Sequence, residues 1–236
     1  FFEKEFDTPP RLEVVTFDTL LQEKVHKMIF PTAWMNLLPL LTAIQIQRAV
    51  SLGANVTLLA ANLRHDSKAM TGSGIFTPST SIYHQGEKGG KSEAKGLLLD
   101  SEGQLTLCDG LLCCHLQYQR STQGGNTELY ALGVFAGNHT FAGRFTLQVC
   151  ALVRCSGSEV SSCGKEVEEA ESRVDFRLEE KFGTRYVYPS LLGSGMVVDK
   201  PDRIEKTTDG RVTMEHSGMS VGLVTACLYG RVYDQD

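Results

Sequence analysis

The sequence predicts an α/β unit followed by a mostly antiparallel β domain that disulfide bonds hold together. Strand-like and helix-like segments alternate in the first part of the chain, strand-like segments of period two fill the second part, and all seven cysteines lie in the second part. We place the first unit at residues 1–84, a linker at 85–104 and the β domain at 105–236. The 236 residues, 42% of them hydrophobic and 22% charged, are enough to bury a core.

The first unit contains three segments with strand character. Leu12–Phe17 (LEVVTF) and Val25–Phe30 (VHKMIF) are rich in β-branched and aromatic residues, and Pro31 is expected to end the second. Asn55–Asn62 (NVTLLAAN) is almost entirely apolar, which predicts a strand buried on both faces of a largely parallel sheet.

A helix is predicted between the second and third of these strands, over Leu37–Leu52. Its apolar residues fall at helical spacing, and Gln47 and Arg48 are interpreted as the end of the apolar stripe. Gly53 is expected to cap the helix at its C-terminus. Strand, helix and strand in this order predict an α/β arrangement.

The linker begins with a polar stretch rich in glycine and lysine, residues 85–95. Gly90, Lys91 and Ser92 imitate the end of a phosphate-binding loop. That loop also needs a glycine five residues before Gly90, where this chain has Gln85. We therefore expect no nucleotide site here.

The β domain is predicted from alternating residues. In Phe145–Val153, residues 145, 147, 149, 151 and 153 are expected on one face, and Thr146, Gln148 and Cys150 on the other. Similar segments occur at Leu111–Tyr118, Leu129–Phe135, Val174–Leu178, Tyr186–Tyr188 and Leu223–Val232.

The cysteines favour disulfides in an oxidising compartment over free structural thiols, since no C-x-x-C pair or histidine stands at zinc-binding spacing. Six of them, which permit 15 full pairings, are disulfide candidates: Cys108, Cys113, Cys114, Cys150, Cys155 and Cys163. Cys155 and Cys163 are the favoured pair, because a short Gly/Ser loop separates them. Cys113 and Cys114 should have different partners, because adjacent strand residues point to opposite faces. Cys227 lies in an apolar run and is expected to stay a buried thiol.

Composition excludes several classes of partner. The net charge of −5 gives no basic surplus for nucleic acid, and no apolar stretch reaches the roughly 18 residues that a membrane span needs. We expect no metal, no cofactor and a monomer.

Several ordered blocks resemble a known family. They are FPTAWMN (30–36), AAN (60–62), MTGSGIFTP (70–78), LCCH (112–115), YALGVF (130–135), QVCALVRC (148–155), SCG (162–164) and LYGRVY (228–233). Together with the helix after the first block, they are similar to the biotinidase and vanin family of the nitrilase superfamily. QVCALVRC, GLVTACLYGR (222–231) and the absence of a lipid-anchor tail after Asp236 look more like biotinidase than vanin.

The resemblance implies a fold and a chemistry. The fold is a four-layer α-β-β-α sandwich, here partial, followed by the β domain. The family's amide hydrolysis uses a cysteine thiolate as nucleophile, a glutamate that moves protons and a lysine that stabilises the oxyanion. The substrate would be a small amide such as biocytin or a biotinyl peptide, with pantetheine as the alternative, and the protein would be secreted.

This chain departs from the family pattern where the chemistry should lie. The family's cysteine precedes the P-T-A-W block by some two dozen residues, but here only eleven residues separate Thr19 of the TFDT segment from Pro31, and none is cysteine. The lysine and glutamate would lie upstream of Phe1. Between Pro78 and Cys108 the family usually has some forty more residues. An exon-skipped isoform or a faulty gene model would produce both gaps. We therefore expect no catalytic residue in this chain and no activity as written, with a secreted non-enzymatic binding protein as the opposing interpretation.

The family pattern also implies pocket residues. Trp34 is interpreted as a pocket wall, with an ordinary core aromatic as the alternative. Asn62 and the Gly72, Ser73, Gly74 turn are interpreted as the pocket rim, with turn chemistry as the alternative. Gln45 replaces the glutamate of an A-I-E-I-Q pattern and carries no charge.

Two N-x-T glycosylation sequons are present. Asn138 lies in a predicted Gly-flanked turn and is the expected site. Asn55 lies in a predicted buried strand and is expected to be unmodified.

Overall fold

The computed structural model describes residues 26–34, 42–64, 70–84, 96–98, 100–121, 128–139, 145–165 and 167–235. These residues form three β-sheets and one α-helix. The predicted strand Leu12–Phe17, the TFDT segment, the stretch 85–95 and the predicted helical residues 37–41 lie outside the described residues.

The first sheet has four strands in the order β1-β2-β3-β4. They are β1 (Lys27–Thr32), β2 (Thr57–Asn62), β3 (Ser73–Phe76) and β4 (Ser81–His84). β1 and β2 are parallel, whereas β2–β3 and β3–β4 are antiparallel. The expectation of a largely parallel sheet is therefore wrong for the described strands: β3 and β4 form a hairpin, and a hairpin connection is too short for the crossover that a parallel pair requires.

Strand β1 continues through Pro31 to Thr32, so the prediction that Pro31 ends it is wrong. β1 is an edge strand of the described sheet. An edge strand tolerates proline because one side of its backbone makes no ladder hydrogen bonds.

Helix α1 (Ala43–Ala54) begins at a capping box formed by Thr42 and Gln45. It ends at Asn55, which adopts the left-handed conformation, with φ 55° and ψ 46°. The predicted cap Gly53 is instead inside the helix. A Cβ at Gly53 would lie 2.9 Å from Tyr188 Cδ1 and 3.1 Å from the Val187 carbonyl oxygen. Glycine is therefore required here for close packing.

Strand β2 is buried on one face only, which corrects the prediction of a strand buried on both. Leu58 and Ala60 face α1, whereas Leu59 is 39% exposed. Leu59 belongs to a row of directly paired aliphatic residues that crosses the whole sheet on its uncovered face: Ile29 (68% exposed), Leu59, Ile75 (47%) and Ile82 (75%). Nothing in the described structure covers this row.

The remaining strands form a two-sheet antiparallel sandwich. The strands are β5 (Gly96–Leu98), β6 (Glu102–Asp109), β7 (Leu112–Arg120), β8 (Tyr130–His139), β9 (Phe145–Arg154), β10 (Val174–Lys181), β11 (Val187–Gly193), β12 (Val197–Asp199), β13 (Arg203–Lys206), β14 (Arg211–His216) and β15 (Leu223–Arg231). One sheet has the order β13-β14-β10-β7-β6 and the other β12-β11-β15-β9-β8-β5.

The predicted β segments agree with β7, β8, β9, β10, β11 and β15, with shifted ends. In β9 the alternation is as predicted, but both faces are buried, because Cys150 and Leu152 enter the core between the sheets and Val149, Ala151 and Val153 pack on the opposite face. β5 and the start of β6 lie in the segment 85–104, so its C-terminal part contributes strands to the sandwich.

Three disulfides link the sandwich: Cys108–Cys113, Cys114–Cys150 and Cys155–Cys163. Cys155 and Cys163 are therefore bonded as expected, and Cys113 and Cys114 have different partners. Cys108 and Cys113 are opposite each other on the β6–β7 hairpin. Cys114 on β7 and Cys150 on β9 join the two sheets through the core.

The first sheet and its helix rest on the sandwich. Ala49 and Val50 of α1 pack against Tyr188 of β11 and against Tyr186 just before that strand. The Tyr83 hydroxyl donates to the Met196 carbonyl oxygen at 3.1 Å and accepts from the Val198 N–H at 2.9 Å. These contacts fix the orientation of the first sheet on the sandwich.

Candidate functional site

The predicted pocket residues converge at the carboxyl ends of the two parallel strands. Trp34 follows β1, and Asn62 is the last residue of β2. The loop that leads to β3 brings Gly72 and Ser73 to the same edge. In open α/β sheets, ligands bind outside the carboxyl ends of the strands.

The side chain of Asn62 connects three segments at this edge. Its Oδ1 accepts the Trp34 backbone N–H at 2.7 Å, and its Nδ2 donates to the carbonyl oxygens of Trp34 at 3.0 Å and Thr71 at 2.8 Å. Its own backbone N–H donates to Ser73 Oγ at 2.9 Å. Because both amide hydrogens and the oxygen are engaged in the protein, the Asn62 side chain fixes the positions of the segments at this edge of the sheet.

The segment directly before β3, which contains Gly72, packs closely on the first turn of α1. Gly72 has φ +99°, and a Cβ there would lie 3.0 Å from Ile44 Cγ2 and 3.2 Å from Ala43 Cβ. At Gly74 a Cβ would lie 2.5 Å from the Ile82 carbonyl oxygen. Both glycines therefore allow approaches that a side chain would block.

Gln45 is fully buried in the first turn of the helix. Its Oε1 accepts from the Thr42 backbone N–H at 3.0 Å and from Thr42 Oγ1 at 2.9 Å, while its own N–H donates to Thr42 Oγ1 at 3.3 Å. The structure thus shows Gln45 in a capping role. The sequence held this signal, because Thr42-x-x-Gln45 matches the capping-box pattern.

Two further polar residues of the helix were misinterpreted from the sequence. Gln47 and Arg48 are both buried, although we interpreted them as the end of the apolar stripe. Gln47 Nε2 donates to the Gly72 carbonyl oxygen at 3.1 Å, which connects the helix to the segment before β3. Arg48 Nη1 donates to the carbonyl oxygens of Thr77 and, at 3.4 Å, Thr80. Burial lowers the pKa of Arg48, and the charge of Asp199 opposes that effect.

None of the seven cysteines is available as a nucleophile. Six are in disulfides, and Cys227 is 1% exposed. Burial raises the pKa of the Cys227 thiol to about 12, so it carries almost no thiolate at neutral pH. In the described part of the chain, no group of three His, Cys, Asp or Glu side chains is placed to hold a metal ion.

The outer face of the five-stranded sheet carries two shallow polar grooves, of about 340 and 730 Å³. Both arginines that line them are paired with carboxylates. Arg177 contacts Glu179 at 2.9 Å and also Glu215, and Arg211 contacts Glu179. Neither arginine of these grooves is therefore without a carboxylate partner.

Comparison with known proteins decides the family. Residues 88–236 match the family model of the Vanin C-terminal domain. A biotinidase from Takifugu rubripes is 44% identical over 318 residues, covering 100% of this chain and 63% of that protein. The chain belongs to the biotinidase and vanin family.

Other relatives agree. A biotinidase from Homo sapiens is 33% identical over 331 residues, covering 100% of this chain and 60% of that protein, and a pantetheinase from Canis lupus familiaris is 34% identical over 304 residues, covering 99% and 58%. The chain therefore spans less than two thirds of the length of these family members. Identity is higher to the Takifugu biotinidase than to the canine pantetheinase.

The alignment also supports the internal gaps. The match to the Takifugu family member extends over 318 positions, whereas this chain has 236 residues, so at least 82 positions of the relative have no counterpart.

Asn138 lies at the end of β8 and is exposed, in a strand and not in the predicted turn. Its Oδ1 accepts from Thr146 Oγ1 at 2.8 Å.

No helix of the described residues is long and apolar enough to cross a membrane.

Proposed function

We propose that the intact protein is a biotinidase-type amidohydrolase that releases biotin from biocytin or biotinyl peptides. We further propose that the 236 residues here carry part of its pocket rim but not its chemistry. This proposal rests mainly on the match to biotinidases along the whole chain. Pantetheine hydrolysis is the alternative activity, because pantetheinases match nearly the whole chain as well.

The uncovered row of aliphatic residues supports a partial four-layer sandwich for residues 1–84. In an α-β-β-α sandwich the face of each sheet opposite its helices packs on a second sheet. Here α1 covers one face of the first sheet, and the row from Ile29 to Ile82 occupies the other. An apolar face of this kind fits a missing second sheet. We propose that residues 85–104 follow as a connection whose C-terminal part joins the sandwich as β5 and the start of β6, and that 105–236 form the rest of the β domain.

The pocket assignment is part of the same proposal. Trp34, half-buried at the end of β1, would form the pocket wall, and Asn62 with Gly72, Ser73 and Gly74 would form its rim. Gln45 would contribute to the pocket indirectly, because its capping box fixes the N-terminal end of α1. The three disulfides agree with a secreted protein, and Asn138 is proposed as a glycosylation site.

For the chain as given, a secreted non-enzymatic binding protein is the second candidate. The inaccessibility of every cysteine favours it, because amide hydrolysis by this family's route needs a thiolate.

One experiment separates these candidates. The absent segments are supplied from the Takifugu rubripes biotinidase, and hydrolysis of biotinyl-amide and pantetheinyl-amide substrates is compared. The matched control replaces the grafted nucleophilic cysteine with alanine. We expect faster biotinyl-amide hydrolysis, abolished in the control. Preference for the pantetheinyl amide would favour the alternative activity, and a folded graft that hydrolyses neither substrate would contradict the enzymatic proposal.

A further inference from the structure

The sequon Asn55-Val56-Thr57 lies at a different place in the fold from the one predicted by its sequence. It was expected inside a buried strand. Instead, Asn55 is the C-terminal cap of α1, and β2 begins only at Thr57. The reason for excluding this sequon from modification is therefore removed.

The left-handed turn at Asn55 leaves Asn55 at the surface and directs the next residue, Val56, into the interior. Val56 is 1% exposed and packs inward, whereas Asn55 is exposed. The backbone N–H groups of Asn55 and Val56 both donate to the Ser51 carbonyl oxygen, the latter at 3.1 Å. The turn therefore holds the Asn55 side chain at the surface through backbone contacts alone, and asparagine is among the residues that adopt this conformation at low cost.

The side-chain amides of Asn55 and Asn138 differ in their hydrogen bonding. The Asn138 Oδ1 is bonded to Thr146 Oγ1. No described residue makes a hydrogen bond to the side-chain amide of Asn55. Thr57, the third residue of the sequon, is half-buried, and its backbone N–H donates to the His26 carbonyl oxygen at 2.9 Å.

We propose that Asn55 is an N-glycosylation site of this protein. The co-reactant is a lipid-linked oligosaccharide pyrophosphate of the secretory pathway. A bond forms between Asn55 Nδ2 and the anomeric carbon of the first sugar, the bond from that carbon to the pyrophosphate oxygen breaks, and Nδ2 loses one proton while the lipid pyrophosphate leaves. The inference rests on the proposed secretion of the protein.

Thr57 provides a test that leaves the helix cap intact. Replacing Asn55 itself would change the left-handed cap, whereas Thr57→Val removes the sequon with a side chain of nearly the same shape, and Thr57→Ser keeps the sequon. Both are made in an Asn138→Gln background, so that any remaining glycan is assigned to Asn55.

The 236-residue chain is expressed behind a secretory signal sequence in mammalian cells. Glycans are removed enzymatically in ¹⁸O-labelled water, and the peptide that contains residue 55 is measured by mass spectrometry. Both the medium and the cell-associated protein are analysed, so that retention of the protein does not remove the measurement. We expect the labelled aspartate at position 55 in the parent and in Thr57→Ser, and its loss in Thr57→Val.

An unmodified Asn55 peptide in protein that has entered the secretory pathway and formed its disulfides would overturn the inference. So would labelling that persists in Thr57→Val. Because the added signal sequence imposes the compartment, these outcomes are separate from the proposed secretion, which is tested by following the natural full-length protein without an added signal.

Discussion

The side chain of Asn62 makes two hydrogen bonds to the main chain of Trp34. Asn62 Oδ1 accepts from the Trp34 N–H at 2.7 Å, and Asn62 Nδ2 donates to the Trp34 carbonyl oxygen at 3.0 Å. This relationship couples the end of β2 to the segment that follows β1, so the shape of the proposed rim depends on one amide. Trp34 is also the only tryptophan in the sequence, so its fluorescence reports the rim directly.

Asn62→Ala should loosen this edge of the sheet. The variant removes the hydrogen bonds that the Asn62 side chain makes to the backbone of Trp34 and Thr71, and we expect a loss of about 1–3 kcal/mol in the free energy of unfolding, with a red-shifted tryptophan emission. Urea titration followed by Trp34 fluorescence measures both. Asn138→Ala, which removes one side-chain hydrogen bond on the sandwich, is the control. An unchanged emission and midpoint in Asn62→Ala would show that the rim does not depend on Asn62.

The disulfide between the sheets should stabilise the protein more than the disulfide of the hairpin. Cys114 and Cys150 are 36 residues apart, whereas Cys108 and Cys113 are 5 apart. The chain-entropy relation gives about 4 kcal/mol for the longer loop and about 2 kcal/mol for the shorter. Double alanine variants of each pair, unfolded in urea and followed by far-UV circular dichroism, test this order. Equal losses would contradict it.

Glu180 should make stability depend on pH near neutrality. Burial raises its pKa to about 7, only partly offset by the backbone N–H groups of Cys113 and Lys181, and Oε2 has no hydrogen-bond partner among the described residues. The unfolded chain releases this proton near pH 4.5 and the folded chain near pH 7. The folded state therefore binds more protons between these values, and stability falls as pH rises through this window.

Glu180→Gln removes the titration while keeping size and polarity. Its free energy of unfolding should rise relative to the parent as pH increases from about 4.5 to 7, by roughly 1–3 kcal/mol in total. Glu205→Gln, on the exposed strand β13, controls for the loss of one negative charge. A difference between parent and Glu180→Gln that does not change with pH would contradict this role of Glu180.

Hydrogen exchange should be faster in the first sheet than in the sandwich. β9 is paired on both sides and buried on both faces, whereas β2 carries Leu59 on an uncovered face. We expect slow amides in Phe145–Arg154 and fast exchange in Thr57–Asn62, and also in Val14–Phe17, which lies outside the described residues. Equal protection of β2 and β9 would show that the first sheet is stable without a covering layer.

The sequence predicted those parts of the fold in which residue period and chain position agree. The β9 alternation, the different partners of Cys113 and Cys114 and the buried state of Cys227 all follow from local pattern. Local sequence pattern gave wrong predictions where contacts between distant residues determine the structure. Gly53 was assigned to a cap but is required by its contact with Tyr188, and NVTLLAAN was assigned two buried faces although the described structure covers one. Apolar character alone does not reveal whether a second layer is present to bury it.

For the rim, family resemblance identified residues that the structure brings together, but not their roles. Asn62 was interpreted as part of the pocket rim, and the structure shows that its amide is engaged by the protein itself. Gln47 was missed because a buried amide bonded to a distant carbonyl leaves no local sequence signal.

The central claim, that this chain retains a rim without a nucleophile, is tested most directly by turnover. The purified 236-residue protein is incubated with biotinyl-amide and pantetheinyl-amide substrates, with a heat-treated sample as the baseline and a thiol alkylator in parallel. We predict no hydrolysis above the baseline, since six cysteines are bonded and Cys227 is buried. Hydrolysis that the alkylator abolishes would contradict the claim.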